Sequence, residues 1–143
     1  MSLRPTEYIP LIVLIMLLQF WVQTTYMLNI SGSSTPAGLY RVHSIPRADL
    51  RRGDIVALRM PVKQILALPG DHVRFAPEGI YREGKLIANT AAEPGIPRCP
   101  LGEVTVPRYF FVGDGLLNPD SWGSRYVCLI PQSIITGTVT RIW

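Results

Sequence analysis

A chain of 143 residues with 14 Lys or Arg against 10 Asp or Glu has room for one modest domain and an accessory segment, not two domains. The net charge of +4 is carried by twelve Arg and two Lys, scattered without aromatic interleaving. This argues against a nucleic-acid partner and leaves a general attraction to anionic lipid headgroups. His43 and His72 have no Cys, Asp or Glu at metal-ligand spacing, and no Gly-rich phosphate loop is present, so neither a metal nor a cofactor is expected.

From Ile9 to Leu28 no residue is charged. Twenty residues of helix would extend about 30 Å, the hydrocarbon thickness of a bilayer. The stretch is expected to be an uncleaved signal anchor, a single transmembrane helix preceded by a short cytoplasmic tail within residues 1–28. The nearest small-x-small cleavage pattern is Ser31-Gly32-Ser33, and cutting there would divide a cluster of serines. Residues 29–143 then form one domain on the outer side.

That domain reads as antiparallel all-β. Short apolar runs alternate with turn residues: Leu39–His43, Ile55–Met60, Val62–Leu68, His72–Phe75, Ile80–Ile87 folding back at Glu83-Gly84, Val104–Val112, Tyr126–Ile130 and Ile134–Ile142. Residues 88–103 are loop-like. No amphipathic helix of convincing length follows residue 28.

Three stretches could carry chemistry, and each has a plainer reading. Asn29–Tyr40 holds Ser31, Ser33 and Ser34, yet Ser, Gly and Pro also make ordinary turns. Lys63 lies on an apolar strand whose alternation puts it with Ile65 and Ala67; alone, it could snorkel to solvent. Asp114–Arg125 is a loop in which a serine hydroxyl could orient a lysine amine and Arg125 could pair with Asp54 or Asp71. With no Gly-x-Ser-x-Gly elbow and no placed His, a serine nucleophile would need a lysine base. Such a lysine must be neutral, and lowering its pKa from ~10.4 to about 8 costs roughly 3 kcal/mol of desolvation. Lys85, beside the hairpin turn, is expected to be solvated.

Taken in order, these pieces resemble the type I signal peptidase family (peptidase S26). A Ser-x-x-Pro or Ser-x-Pro turn follows the apolar helix. Arg52-Gly53-Asp54-Ile55-Val56 is similar to its Gly-Asp-Ile/Val-Val segment, and Lys63 to Asp71 to its Lys-Arg-x-x-x-x-Pro-Gly-Asp segment. Gly113-Asp114 with Ser121-Trp122-Gly123-Ser124-Arg125 is similar to Gly-Asp-Asn…Ser-x-Asp-Ser-Arg. Pro36-Ala37-Gly38-Leu39-Tyr40 and the small size look most like the conjugative-transfer, TraF-type branch.

The resemblance implies a Ser–Lys dyad with Lys63 as general base, Ser121 supporting it, and Ser31, Ser124 and Arg125 as further supporting residues. In the conjugative register the nucleophile is Ser34; in the housekeeping register it is Ser33, with Ser31 near the oxyanion. The implied protein is an endopeptidase of the bacterial inner membrane, with its domain in the periplasm. Its substrate would be a membrane-embedded precursor, a pilin precursor in this branch. A broad-range housekeeping peptidase and an inactive membrane-tethered β-module are the alternatives. Gly123 stands where the family usually carries Asp, so a carboxylate for Arg125 would have to come from Asp120, Asp54 or Asp71. In an oxidising compartment Cys99 and Cys128 could pair, though their spacing does not decide it.

Overall fold

The computed structural model describes residues 8–30, 32, 34–58, 62–117 and 121–143. The chain opens with α1 (Ile9–Thr25), which has a proline in its first turn, where a missing N–H costs nothing. Tyr26 then turns extended, and β1 (Tyr26–Asn29) pairs antiparallel with β2 (Gly38–His43), Tyr26 opposite Arg41 and Asn29 opposite Gly38. The uncharged stretch is therefore divided: its last residues join a sheet rather than extend the helix. At 17 residues α1 is about 25 Å long. Among the described residues no helix is long and apolar enough to cross a membrane. None of the α1 side chains is buried, and its Leu, Ile, Val, Phe and Trp side chains all face outward.

The elements that follow are mainly strands: β3 (Ile55–Leu58), β4 (Val62–Ala67), β5 (His72–Ala76), β6 (Gly79–Arg82), β7 (Lys85–Ile87), β8 (Gly102–Thr105), β9 (Phe110–Asp114), β10 (Ile130–Pro131) and β11 (Ile135–Arg141), with a four-residue α2 (Ser124–Val127) before β10 and short 3-10 turns at Arg47–Asp49 and Gln132–Ile134. Among the described residues these form two antiparallel sheets, one ordered β1-β2-β11-β3-β4-β9-β10 and one ordered β7-β6-β5-β8. The expected hairpin at Glu83-Gly84 joins β6 to β7, both residues with positive φ, as a two-residue turn matching strand twist requires.

β4 and β9 are neighbours in the first sheet and supply both sides of the core. Ile65 packs with Val56, Leu58 and Phe111, while Leu66 and Ala67 pack with Val73, Phe75, Ile80 and Val112. A register shift between Ile65 and Ala67 explains this. The bulge breaks simple alternation, so Ala67 does not share a cluster with Ile65 as strict period-2 reading expects.

Two other strand expectations need correction. Val104–Val112 is not one strand: it divides into β8 and β9, in different sheets, around Pro107, which has no N–H to give a ladder. Tyr126–Ile130 is not a strand either: Tyr126 and Val127 end α2, Cys128 and Leu129 are irregular, and Ile130 opens the two-residue β10. Cys99 and Cys128 form a disulfide, their Cα atoms 5.0 Å apart. It crosslinks residues 29 apart, a constraint on the unfolded chain of about 3–4 kcal/mol in the loop-entropy account.

Candidate active site

The turn between β1 and β2 is held from both ends. Asn29 Nδ2 donates to the Thr35 carbonyl at 3.0 Å and to Thr35 Oγ1 at 3.0 Å, and the fully buried Tyr40 donates its hydroxyl to the Pro36 carbonyl at 2.6 Å. These bonds fix where Ser34 points. Ser31 and Ser33 lie outside the described residues.

Lys63 enters from β4, which is buried between β3 and β9; only 1% of the residue is exposed. Its Nζ donates to Ser121 Oγ at 2.5 Å and lies 3.3 Å from Ser34 Oγ, while the two hydroxyl oxygens are 2.8 Å apart. The three atoms form a closed triangle. A neutral amine fits it well: it can donate to Ser121 and accept from Ser34, whereas an ammonium can only donate. Burial pushes the Lys63 pKa down to about 8; the Asp114 carboxylate works against this and the Arg125 guanidinium with it.

Gly115 makes room for the triangle. A Cβ there would lie 2.2 Å from Ser121 Oγ and 2.5 Å from Ser34 Cα, so the backbone after β9 approaches as only glycine permits.

Behind the triangle sits a buried ion pair. Arg125 Nε donates to Asp114 Oδ2 at 3.0 Å, and the Arg125 backbone N–H reaches the same oxygen at 3.2 Å. Asp114 Oδ1 accepts the Gly115 N–H at 2.7 Å, and Ser124 Oγ accepts the Gly113 N–H at 2.9 Å. Arg125 also donates to the carbonyls of Gly115, Asn89 and Ala91. The expected pairing of Arg125 with Asp54 or Asp71 is therefore incorrect. Asp71 is paired with Arg52, and Asp54 accepts the Arg51 N–H; Asp120 lies outside the described residues.

Gly123 makes this pairing possible, because a Cβ there would come within 2.3 Å of Asp114 Oδ1. Without a side chain at 123, the carboxylate of Asp114 fills that space and meets Arg125. Arg125 is thus paired despite the lack of Asp at 123.

Ser34, Lys63 and Ser121 are brought together, with Ser124 and Arg125 as buried supports one layer behind. Asn29, Tyr40 and Gly115 were not singled out in the sequence, and Asp114 appeared there only as part of a motif. Asn29 and Tyr40 flanking the serine-rich turn, and a glycine directly after a strand, are the available signals.

A two-sheet antiparallel domain that joins a serine hydroxyl to a desolvated lysine amine has the parts of a Ser–Lys hydrolase centre. The chain belongs to the family described as signal peptidase, peptidase S26, whose sequence model matches residues 4–143. It is 35% identical over 86 residues to a probable signal peptidase I-2 of Synechocystis, covering 57% of this chain and 38% of that protein. It is 38% identical over 72 residues to a signal peptidase I of Pseudomonas aeruginosa, covering 43% of this chain and 24% of that protein. The chain thus spans well under half the length of these curated relatives. A crystal structure of a signal peptidase I from Enterococcus faecalis is similar with a TM-score of 0.47 at 22% identity, over 68% of this chain and 100% of that one.

Proposed function

We propose that the protein is a membrane-anchored serine endopeptidase of signal-peptidase type, with residues 29–143 as its catalytic domain, Ser34 as nucleophile and Lys63 as general base. The observation that carries this is the buried Lys63 amine within hydrogen-bond reach of Ser34 Oγ and Ser121 Oγ. Neutral Lys63 takes the Ser34 proton as the hydroxyl attacks a carbonyl that follows a small residue in an extended substrate. Ser121 accepts from the amine and keeps its lone pair aimed at Ser34. Backbone N–H groups of the serine turn, with Ser31 or Ser33, hold the oxyanion. Lys63 then protonates the leaving amine and activates water for deacylation, or admits a second amine that would cyclise the product.

The exposed apolar surface of α1 supports an anchor in the lipid bilayer, single-pass, with local thinning of the membrane meeting its short length. The domain then lies at the periplasmic face of the inner membrane, beside membrane-embedded precursors. The Pro36-Ala37-Gly38-Leu39-Tyr40 turn supports a conjugative pilin precursor as substrate. A broad-range housekeeping role is the second reading, favoured by the signal peptidase I relatives.

Purified full-length protein in lipid, given a pilin precursor and a general secretory precursor, tests the reading. Ser34→Ala is expected to lose cleavage by about 10³-fold or more, while Ser33→Ala retains most of it. Loss confined to Ser33→Ala moves the nucleophile by one residue, and equal cleavage of both precursors favours the housekeeping role. Failure of the wild type to cut either precursor refutes the peptidase reading.

A further inference from the structure

Arg125 is gripped by a segment with no regular structure of its own. Residues 88–101 contain neither strand nor helix, yet they contribute three hydrogen bonds to this one residue. The Cys99 N–H donates to the Arg125 carbonyl at 2.9 Å, and the guanidinium donates to the carbonyls of Ala91 at 3.0 Å and Asn89 at 2.8 Å. On the other side, the Cys128 N–H donates to the Ser124 carbonyl at 3.0 Å and closes the α2 turn. The Cys99–Cys128 disulfide joins these two sides directly.

We propose that the Cys99–Cys128 crosslink is a positioning device for the active site: by tying the 89–99 segment to the end of α2, it holds Arg125 against Asp114, behind the Lys63 amine. The idea rests on the Ser34–Lys63 reading above. An irregular segment gains its order from what it is fastened to. With the crosslink open, the carbonyls of Asn89 and Ala91 are no longer held at a fixed distance from α2, and the guanidinium loses two of the acceptors that hold it, keeping the Asp114 carboxylate and the Gly115 carbonyl on its other side. The groups facing Lys63 then change in balance. β3 brings no charge, the serine turn and Ser121 bring hydroxyls, β9 brings Asp114 and α2 brings Arg125. As the guanidinium shifts away, Asp114 remains as the charge acting on the amine among the described residues, and Lys63 keeps its proton to higher pH.

The test compares full-length wild type, Cys99→Ala/Cys128→Ala, Arg125→Lys and the combined triple variant, with kcat/KM for precursor cleavage followed from about pH 6 to about pH 10. The crosslink-free protein is expected to show its acid limb about one unit higher, hence roughly tenfold slower cleavage near neutral pH that recovers in alkali. Arg125→Lys, which keeps a cation beside Asp114 without the planar fork that the Asn89 and Ala91 carbonyls grip, is expected to leave the limb near its wild-type place, and opening the crosslink in that background to move it no further. An unmoved acid limb with only a lower melting temperature overturns the proposal, as do additive shifts. If the double variant does not fold, wild type is reduced after folding with dithiothreitol, which closes to its own disulfide as the two sulfurs become thiols. Unfolding there too overturns the proposal, because the crosslink is then a requirement of the fold. Cleavage that survives Lys63→Ala, or none by oxidised wild type, removes the Ser34–Lys63 reading instead.

Discussion

Lys63→Met is expected to abolish precursor cleavage while leaving the folded protein at least as stable as wild type at neutral pH. Loss of a positioned base lowers the rate by about 10²–10⁴-fold, and here the same residue serves both proton transfers. The stability half follows from burial. Lys63 is almost fully enclosed and its pKa lies at about 8, below the ordinary lysine value. Below that pH the folded protein carries a desolvated ammonium that the unfolded chain solvates freely, a cost of about 3 kcal/mol. Methionine has similar length and no charge to desolvate, and Ser34 and Ser121 still bond to each other across 2.8 Å. The advantage of the variant is expected to be full below pH 8 and to shrink as pH rises toward the unfolded lysine value, where wild type is neutral in both states. Chemical denaturation at neutral and alkaline pH measures it; a large destabilisation at neutral pH would show Lys63 to be a structural residue.

Asp114→Asn should do the opposite, harming the fold more than the chemistry. Asp114 and Arg125 are both almost fully buried, with Nε 3.0 Å from Oδ2. Removing one member of such a pair strands the other charge, typically at a cost of about 3–5 kcal/mol. The amide keeps the volume and an acceptor for the Gly115 N–H, so the loss reports on charge rather than on a cavity. Because the carboxylate raises the Lys63 pKa, its removal is expected to move the acid limb of residual activity to lower pH. Thermal melting and the pH profile check the two halves separately. A melting temperature unchanged from wild type would mean that Arg125 is satisfied without Asp114.

The resemblance marks Lys63, Ser121 and either Ser34 or Ser33 through short, ordered motifs; Ser34, Lys63 and Ser121 meet in one triangle, and Ser33 lies outside the described residues. What it could not supply was the pairing behind them. Arg125 meets Asp114 rather than Asp54 or Asp71 because Gly123 leaves space for the carboxylate, and a spacing of eleven residues carries no hint of that contact. By hydropathy the apolar run through Leu28 is helix to its end, because hydropathy does not distinguish a membrane helix from a strand such as Tyr26–Asn29 that pairs with Gly38–His43. Pro107 marked a break inside Val104–Val112 that strand propensity overrode. The α2 turn, at four residues, is too short to display helical periodicity. Cys99 and Cys128 were legible as candidates, but their bridging distance exists only in the folded chain.

The central claim is that a lysine, not a histidine, takes the proton from the serine. The dependence of kcat/KM on pH tests it most directly, since that ratio reports ionisations of the free enzyme. Activity is predicted to rise with pH along a limb centred near 8, where burial leaves the Lys63 amine. A limb near about 6.5, the ordinary range of histidine, or a flat profile across that interval, would contradict it.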